Sequence, residues 1–230
     1  MPDVTPLHEV TNDTGDAEAL RAADGRVPGR RGRATRQRLL ECTGDMLTIT
    51  SYRDVKVIDI AREAGTSPAT FYQYFADVEA AILVLAEEMA QQGAYLTEII
   101  TEGSWDGDAA AATALELVDA FLAFWDEHRA VLRVMDLATD EGDGRFQKIR
   151  VGLLNGITRE LADVARSAQT TGHLRRGIDP MATAGILVSM MAHVAAHQYG
   201  FEFWGIRTAD LRASMARQVS WGVTGVLPPD

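Results

Sequence analysis

The chain has 230 residues, with 22 Lys and Arg against 33 Asp and Glu and a formal net charge of −11. That length fits one large domain or two small ones, and the acidic total excludes a protein that coats nucleic acid with its whole surface, although not a local basic patch. A single cysteine, Cys42, excludes an internal disulfide framework and a cysteine-built zinc site. No run reaches the ~18 apolar residues that cross a bilayer, and the first residues lack a charged-then-apolar leader. A cytoplasmic protein with no membrane partner is the expectation.

Residues 1–25 contain Asp3, Glu9, Asp13, Asp16, Glu18 and Asp24 against Arg21 alone. Such a stretch buries too little apolar surface to offset its ordering entropy, so residues 1–28 read as a disordered acidic tail. The sign then inverts: Arg26, Arg30, Arg31, Arg33, Arg36 and Arg38 meet no acid between positions 26 and 38. From about 33 onward the pattern is helical. Leu39, Thr43, Met46 and Leu47 recur at three- and four-residue steps, and Val57, Ile58, Ala61 and Ala64 mark a short second helix. Ser67-Pro68 reads as a helix start, a hydroxyl cap followed by a proline at the first helical position. Asp77 opens a fourth, longer helix running to about Ile100.

Glu102 to Asp108 reads as a linker around Trp105. Further helices are expected at about 109–126, 129–138, 144–168, 180–199 and 208–226, punctuated by turns at Asp140–Gly144 and Gly177–Pro180. Apolar alternation is never sustained, so no strand is expected. The fold class is all-α with about nine helices.

The most informative stretch is 56–80. Gly65 can take the left-handed conformation that ends one helix and swings the chain into the next. Ala61 is small enough for the two helices to cross closely, and Phe71 and Phe75 fill the angle between them. This is helix-turn-helix geometry, in which the second helix enters the major groove. An ordinary pair of core helices is the competing reading of that spacing.

Residues Ile60, Ala61, Ala64, Gly65, Thr66, Ser67, Tyr72 and Phe75 resemble the N-terminal domain of TetR-family transcriptional regulators, over about 33–85. The resemblance implies a helix-turn-helix DNA-binding domain at 29–80 with a basic N-terminal arm, and a ligand-binding and dimerisation domain at 81–230. Val78 stands where relatives usually carry a phosphate-contacting lysine. The length of helix five, the segment His128–Arg133 and the long helix seven are similar to the ethionamide-regulator branch, which takes elongated hydrophobic effectors.

On this reading Thr66, Ser67, Ala69 and Thr70 approach base edges, and Gln73 is the amide able to grip an adenine. Tyr72 and Tyr74 lie along the phosphates, Tyr74 reading equally as a half-buried aromatic. Lys56, Arg33 and Arg36 are the expected phosphate contacts, which add affinity without sequence information.

Residues 80–230 carry 12 basic and 20 acidic groups, so this part is expected to do something other than bind DNA. Trp105, Phe121, Phe124, Trp125, Met135, Phe146 and Met191 suit the wall of an apolar ligand cavity, with Asn155 orienting a polar end; plain core packing is the alternative for each. Helix eight is apolar nearly all round and must be buried on more than one side. The resemblance pairs the last two helices across a two-fold axis, implying a homodimer through Met190, Val194, His197, Leu211, Met215 and Val219. Tyr199, Phe201, Phe203 and Trp204 would extend this surface from the following loop. His193 and His197 are four apart but have no third ligand nearby, so no metal is expected, and no cofactor.

The expected function is a regulator of transcription, a repressor that a small hydrophobic effector releases from a palindromic stretch of double-stranded operator DNA. A helical enzyme using His193, His197, Asp136 or Glu202 is the second class, but no nucleophile–base pair appears, so no catalysis is expected. An interaction module whose DNA-binding unit has decayed is the third, motivated by Val78 and the acidic total.

Overall fold

The computed structural model describes residues 29–227, so the acidic tail expected at 1–28, with Arg26, lies outside the described residues. Among those residues the chain is helical throughout and contains no strand. It divides into two compact units, Met1–Val84 and Leu85–Asp230.

In unit 1, α1 (Arg30–Ile49) is followed by a short 3-10 turn at Tyr52–Asp54, α2 (Val57–Glu63) and α3 (Pro68–Tyr74). The basic segment expected as an arm is therefore the first turns of α1. Leu39, Leu40, Ile60, Ala61 and Phe71 are fully buried, and Thr43 returns its hydroxyl to the Leu39 carbonyl at 2.7 Å, so it sits in the core without an unmet donor. α1, α2 and α3 all pack on one another. Asp77 accepts from the Ala80 amide at 2.7 Å and so caps α4 (Val78–Gln92), which runs on across the division between the units.

In unit 2 the single helix expected from Asp77 to about Ile100 is broken into α4 and α5 (Tyr95–Glu102). The break falls at Gly93, where a Cβ would lie 2.6 Å from Leu153 Cδ1 and 3.1 Å from the Phe124 ring, so the backbone is pressed against neighbouring side chains. Helices α6 (Gly107–Glu127), α7 (Arg129–Asp140), α8 (Gly144–Thr170), α9 (Pro180–Phe203) and α10 (Thr208–Thr224) follow. α10 packs on α6, α8 and α9; α9 also packs on α6 and α8; α5 lies against α6 and α8, and α7 against α6 and α8. Ion pairs tie the layers together, Arg150 of α8 to Asp136 of α7 at 2.7 Å and Arg212 of α10 to Asp119 of α6. No described helix is long and apolar enough to cross a membrane.

α9 continues to Phe203, past the end expected near residue 199. Tyr199, Phe201 and Phe203 are thus helical rather than in a loop, with Trp204 as the capping residue. Tyr199 holds this end to its neighbours: its hydroxyl donates to Asp126 Oδ1 at 3.2 Å, and the Arg129 guanidinium lies 4.3 Å over its ring.

Candidate functional site

The turn between α2 and α3 is built from backbone bonds around one left-handed residue. Gly65 has φ 66°, and the Thr66 amide reaches back to the Ala61 carbonyl at 2.8 Å, closing the helix end. Ala61 is 0 % exposed, as a close helix crossing requires. Ser67 then caps α3: its Oγ accepts from the Thr70 amide at 3.2 Å, and Pro68 takes the first helical position.

Phe71 and Phe75 point inward with ring centroids 5.4 Å apart, and the remaining face of α3 is open. Ser67, Ala69, Tyr72 and Gln73 are exposed, while Thr66, Thr70 and Tyr74 are half-buried. The Tyr72 phenol and the Gln73 amide have no hydrogen-bond partner among the described residues, so both are available to a partner molecule. The Ser67 and Thr70 hydroxyls lie 3.0 Å apart and are engaged with each other in the cap. They reach a base edge only by sharing or giving up that bond.

Charge surrounds this face unevenly. Arg30, Arg31, Arg33 and Arg38 are exposed on the first turns of α1, which carry no acid. Cations at a helix N-terminus oppose the helix dipole, so their placement weakens α1 and leaves positive charge for an external anion. Lys56, just before α2, is exposed and unpaired among the described residues, whereas Arg62 is paired with Asp59 at 2.7 Å. Arg36 corrects the expectation made for it. It is 8 % exposed, and its guanidinium lies 5.3 Å from the centroid of the Phe75 ring, so it packs the inside of unit 1 instead of facing a phosphate. Helical phase explains this: Arg36 sits three residues before Leu39 and four before Leu40, on the buried stripe.

The aromatic set of unit 2 is brought together in the core. Phe121 stacks on Trp125 at 4.6 Å, Phe124 lies 4.5 Å from the His128 ring, and Phe121, Phe124, Met135, Phe146 and Met191 are 0–1 % exposed. They are buried in the core, and Asn155 is half-buried on α8. Burial lowers the His128 pKa below its ordinary value, against the smaller opposing influence of Glu127.

Of the residues expected to line a cavity, only Trp105 lines one opening in unit 2. This opening, of about 420 Å³, lies between the α5–α6 linker and the C-terminal turns of α8 and α10. Trp105 is fixed there by its Nε1–H, which donates to the Ile100 carbonyl at 2.9 Å. Composition could not have found this site, because it uses Ser, Thr and Asp side chains from segments far apart in the chain.

The residues expected at a dimer surface divide. Met215, Val219 and Val194 are 3 %, 0 % and 8 % exposed, so within one protomer they already face its own core; Met190 and Leu211 are half-buried, and His197 is exposed. The open stripe of α9 runs instead through Ala182, Ile186, Ser189, His193 and His197, with Trp221 open on α10. His193 and His197 stack at 4.3 Å, and no group of three metal-ligating side chains occurs among the described residues.

Comparisons with known proteins agree with this architecture. The sequence matches the family described as "Tetracyclin repressor-like, C-terminal domain" over residues 96–230, and "Bacterial regulatory proteins, tetR family" over 48–80. It is 24 % identical over 199 residues to the HTH-type transcriptional regulator YdgC of Bacillus subtilis, covering 86 % of this chain and 95 % of that one. Among solved structures it is similar to the transcriptional regulator FadR of Bacillus subtilis in complex with stearoyl-CoA, with TM-score 0.61 and 17 % identity, covering 83 % and 98 % of the two chains. It is also similar to FadR of Thermus thermophilus, a TetR-family repressor in complex with lauroyl-CoA, with TM-score 0.53 and 17 % identity over 85 % and 96 %. With more than half its length matched, and with the glycine-ended helix, Ser67 cap and open α3 face in place, the chain belongs to the TetR family of bacterial transcriptional regulators.

Proposed function

We propose that the protein is a ligand-responsive repressor that binds a palindromic operator as a homodimer and leaves it when a small hydrophobic effector occupies unit 2. One observation carries the DNA reading: α3 is a short helix held from behind by Phe71 and Phe75, with Ala69, Tyr72 and Gln73 open to solvent. Gln73 reads an adenine edge, Tyr72 donates to a phosphate, and Thr66, Ser67, Thr70 and Tyr74 border the groove. Arg33, Lys56 and the other exposed α1 arginines supply the sequence-independent attraction, taking the place of the lysine that Val78 lacks.

Two copies of α3 related by a two-fold axis meet successive major grooves about 34 Å apart, hence a palindrome. Ile186, His193, His197 and Trp221 are among the side chains of α9 and α10 open to a second copy. The effector releases DNA only by binding the DNA-incompetent form more tightly. Helix α4, continuous from Val78 to Gln92, is the element by which a change in unit 2 alters the setting of α3. The acyl-CoA complexes of the two FadR proteins support an effector with an apolar chain, as does the resemblance to the ethionamide-regulator branch. An acyl chain enters the Phe121–Phe146 region only if that closed core opens.

The test is fluorescence anisotropy with the DNA upstream of the gene, at several salt concentrations. Specific, salt-steep binding by a dimer is expected, and Gln73→Ala should cost about 1–3 kcal/mol at one base position with thermal unfolding unchanged. Lauroyl-CoA is the first effector to add, and it should lower operator affinity. A monomer with no preference for its own upstream DNA overturns the reading.

A further inference from the structure

We propose that the pocket beside Trp105 binds a small organic cation, an ammonium group carried on an aromatic or alkyl body, at a site separate from the aromatic core of unit 2. Its size falls within the range of about 300–1,000 Å³ typical of small-molecule sites, at about 420 Å³. One wall is apolar, formed by the Trp105 indole with Ala110, Val164, Ala168, Val226 and Leu227. This wall suits the body of the ligand, and the indole is held still by its bond to Ile100.

The other features select the charge. Asp106 and Asp108 both line the pocket and are exposed, and neither has an ion-pair or hydrogen-bond partner among the described residues. No lysine or arginine lines it. Ser167, Ala168 and Thr171 come from the C-terminal turn of α8, Ser220 and Thr224 from that of α10, and helix C-termini carry partial negative charge. The N-terminus of α6 pulls the other way, but Asp106 and Asp108 sit on that turn and outweigh its partial charge. His173 also lines the pocket, with one ring nitrogen, Nδ1, 3.2 Å from Thr171 Oγ1. An anionic ligand would meet two carboxylates with no lysine or arginine to receive it, whereas an ammonium gains from the carboxylates and the helix C-termini.

A buried polar group independently points to an occupant. Ser220 lines the pocket and is only 2 % exposed, yet its hydroxyl has no hydrogen-bond partner among the described residues. A donor group on the ligand can pair with this nearly buried hydroxyl. The walls are also well fixed. Gly225, at φ 73°, brings α10 so close to the loop after α8 that a Cβ there would lie 2.4 Å from the His173 carbonyl oxygen. Thr224 Oγ1 donates to the Ser220 carbonyl at 2.7 Å and accepts from the Val226 amide at 3.2 Å.

The experiment titrates the full chain, without DNA, with phenethylamine, its neutral counterpart 2-phenylethanol and the anion phenylacetate, read by calorimetry. The amine should bind at least tenfold more tightly than the alcohol, and phenylacetate most weakly. Asp106→Asn with Asp108→Asn should remove that preference while leaving thermal unfolding unchanged. Ser220→Ala should weaken the amine about threefold and keep the preference. Equal affinity for all three compounds, no binding of the amine, or an amine affinity that the double variant leaves intact overturns the proposal. Because binding is measured apart from the operator, its failure and failure of the repressor reading are separately visible.

Discussion

Unit 1 and unit 2 use their aromatic residues in opposite ways. In unit 1 two phenylalanines at one end of a short helix are enough to turn its other face outward, and that face holds Tyr72 and Gln73. In unit 2 the aromatics collect at the centre of a layered bundle, where Phe121, Trp125 and Phe124 are buried against one another. A helix of seven residues has only one buried face, so whatever is polar on it is presented. A bundle of long helices has several, and a large apolar side chain is more often consumed by packing than left to line a void.

The comparison can be tested by damaging each core separately. Phe71→Ala should cost unit 1 about 3–5 kcal/mol and abolish operator binding, with the unfolding of unit 2 preserved in a denaturant titration. Phe121→Ala should do the reverse to unit 2. If both substitutions shift one common transition equally, the two units are a single cooperative body.

Smaller effects sharpen the contrast. Gly93→Ala sets the better helix former against a Cβ 2.6 Å from Leu153 Cδ1; the steric term, about 1–3 kcal/mol, exceeds the propensity gain of about 1. Lower stability of unit 2 by urea unfolding, with unit 1 unaffected, is expected. Ser67→Ala removes the α3 cap and should cost unit 1 about 1 kcal/mol, weakening operator binding without altering the effector unit.

The smallest effect is on pH. Burial lowers the His128 pKa, so the unfolded chain takes up its proton at about 6.5 and the folded one only at lower pH. Stability of unit 2 should therefore fall as pH drops below that point, and His128→Gln should flatten this part of the profile. Asp143, hydrogen-bonded by Arg145, has its pKa lowered from 3.8 to about 2. Its contribution is present above 3.8 and is lost as pH falls through about 2. Melting temperature measured against pH checks both signs.

Much of unit 1 was legible because its signals are local. The Gly65 turn, the Ser67-Pro68 start, the Asp77 cap and the exposed residues of α3 each follow from chemistry within a few positions, and the structure places them accordingly. Arg36 escaped because a run of arginines looks uniformly solvated until the phase of α1 is known. In unit 2 the helix positions were readable, but their faces were not. α9 is apolar all round, so periodicity could not tell Val194, which packs inside the protomer, from Ile186, which is 69 % exposed.

Helix order, caps and the recognition turn are thus properties of short stretches of chain, settled by backbone preference and apolar spacing. The break at Gly93, the packed aromatic core and the pocket at Trp105 are settled by residues dozens of positions apart. A void or a close contact exists only where several helices fail or succeed in filling the same space, and no single helix carries that information.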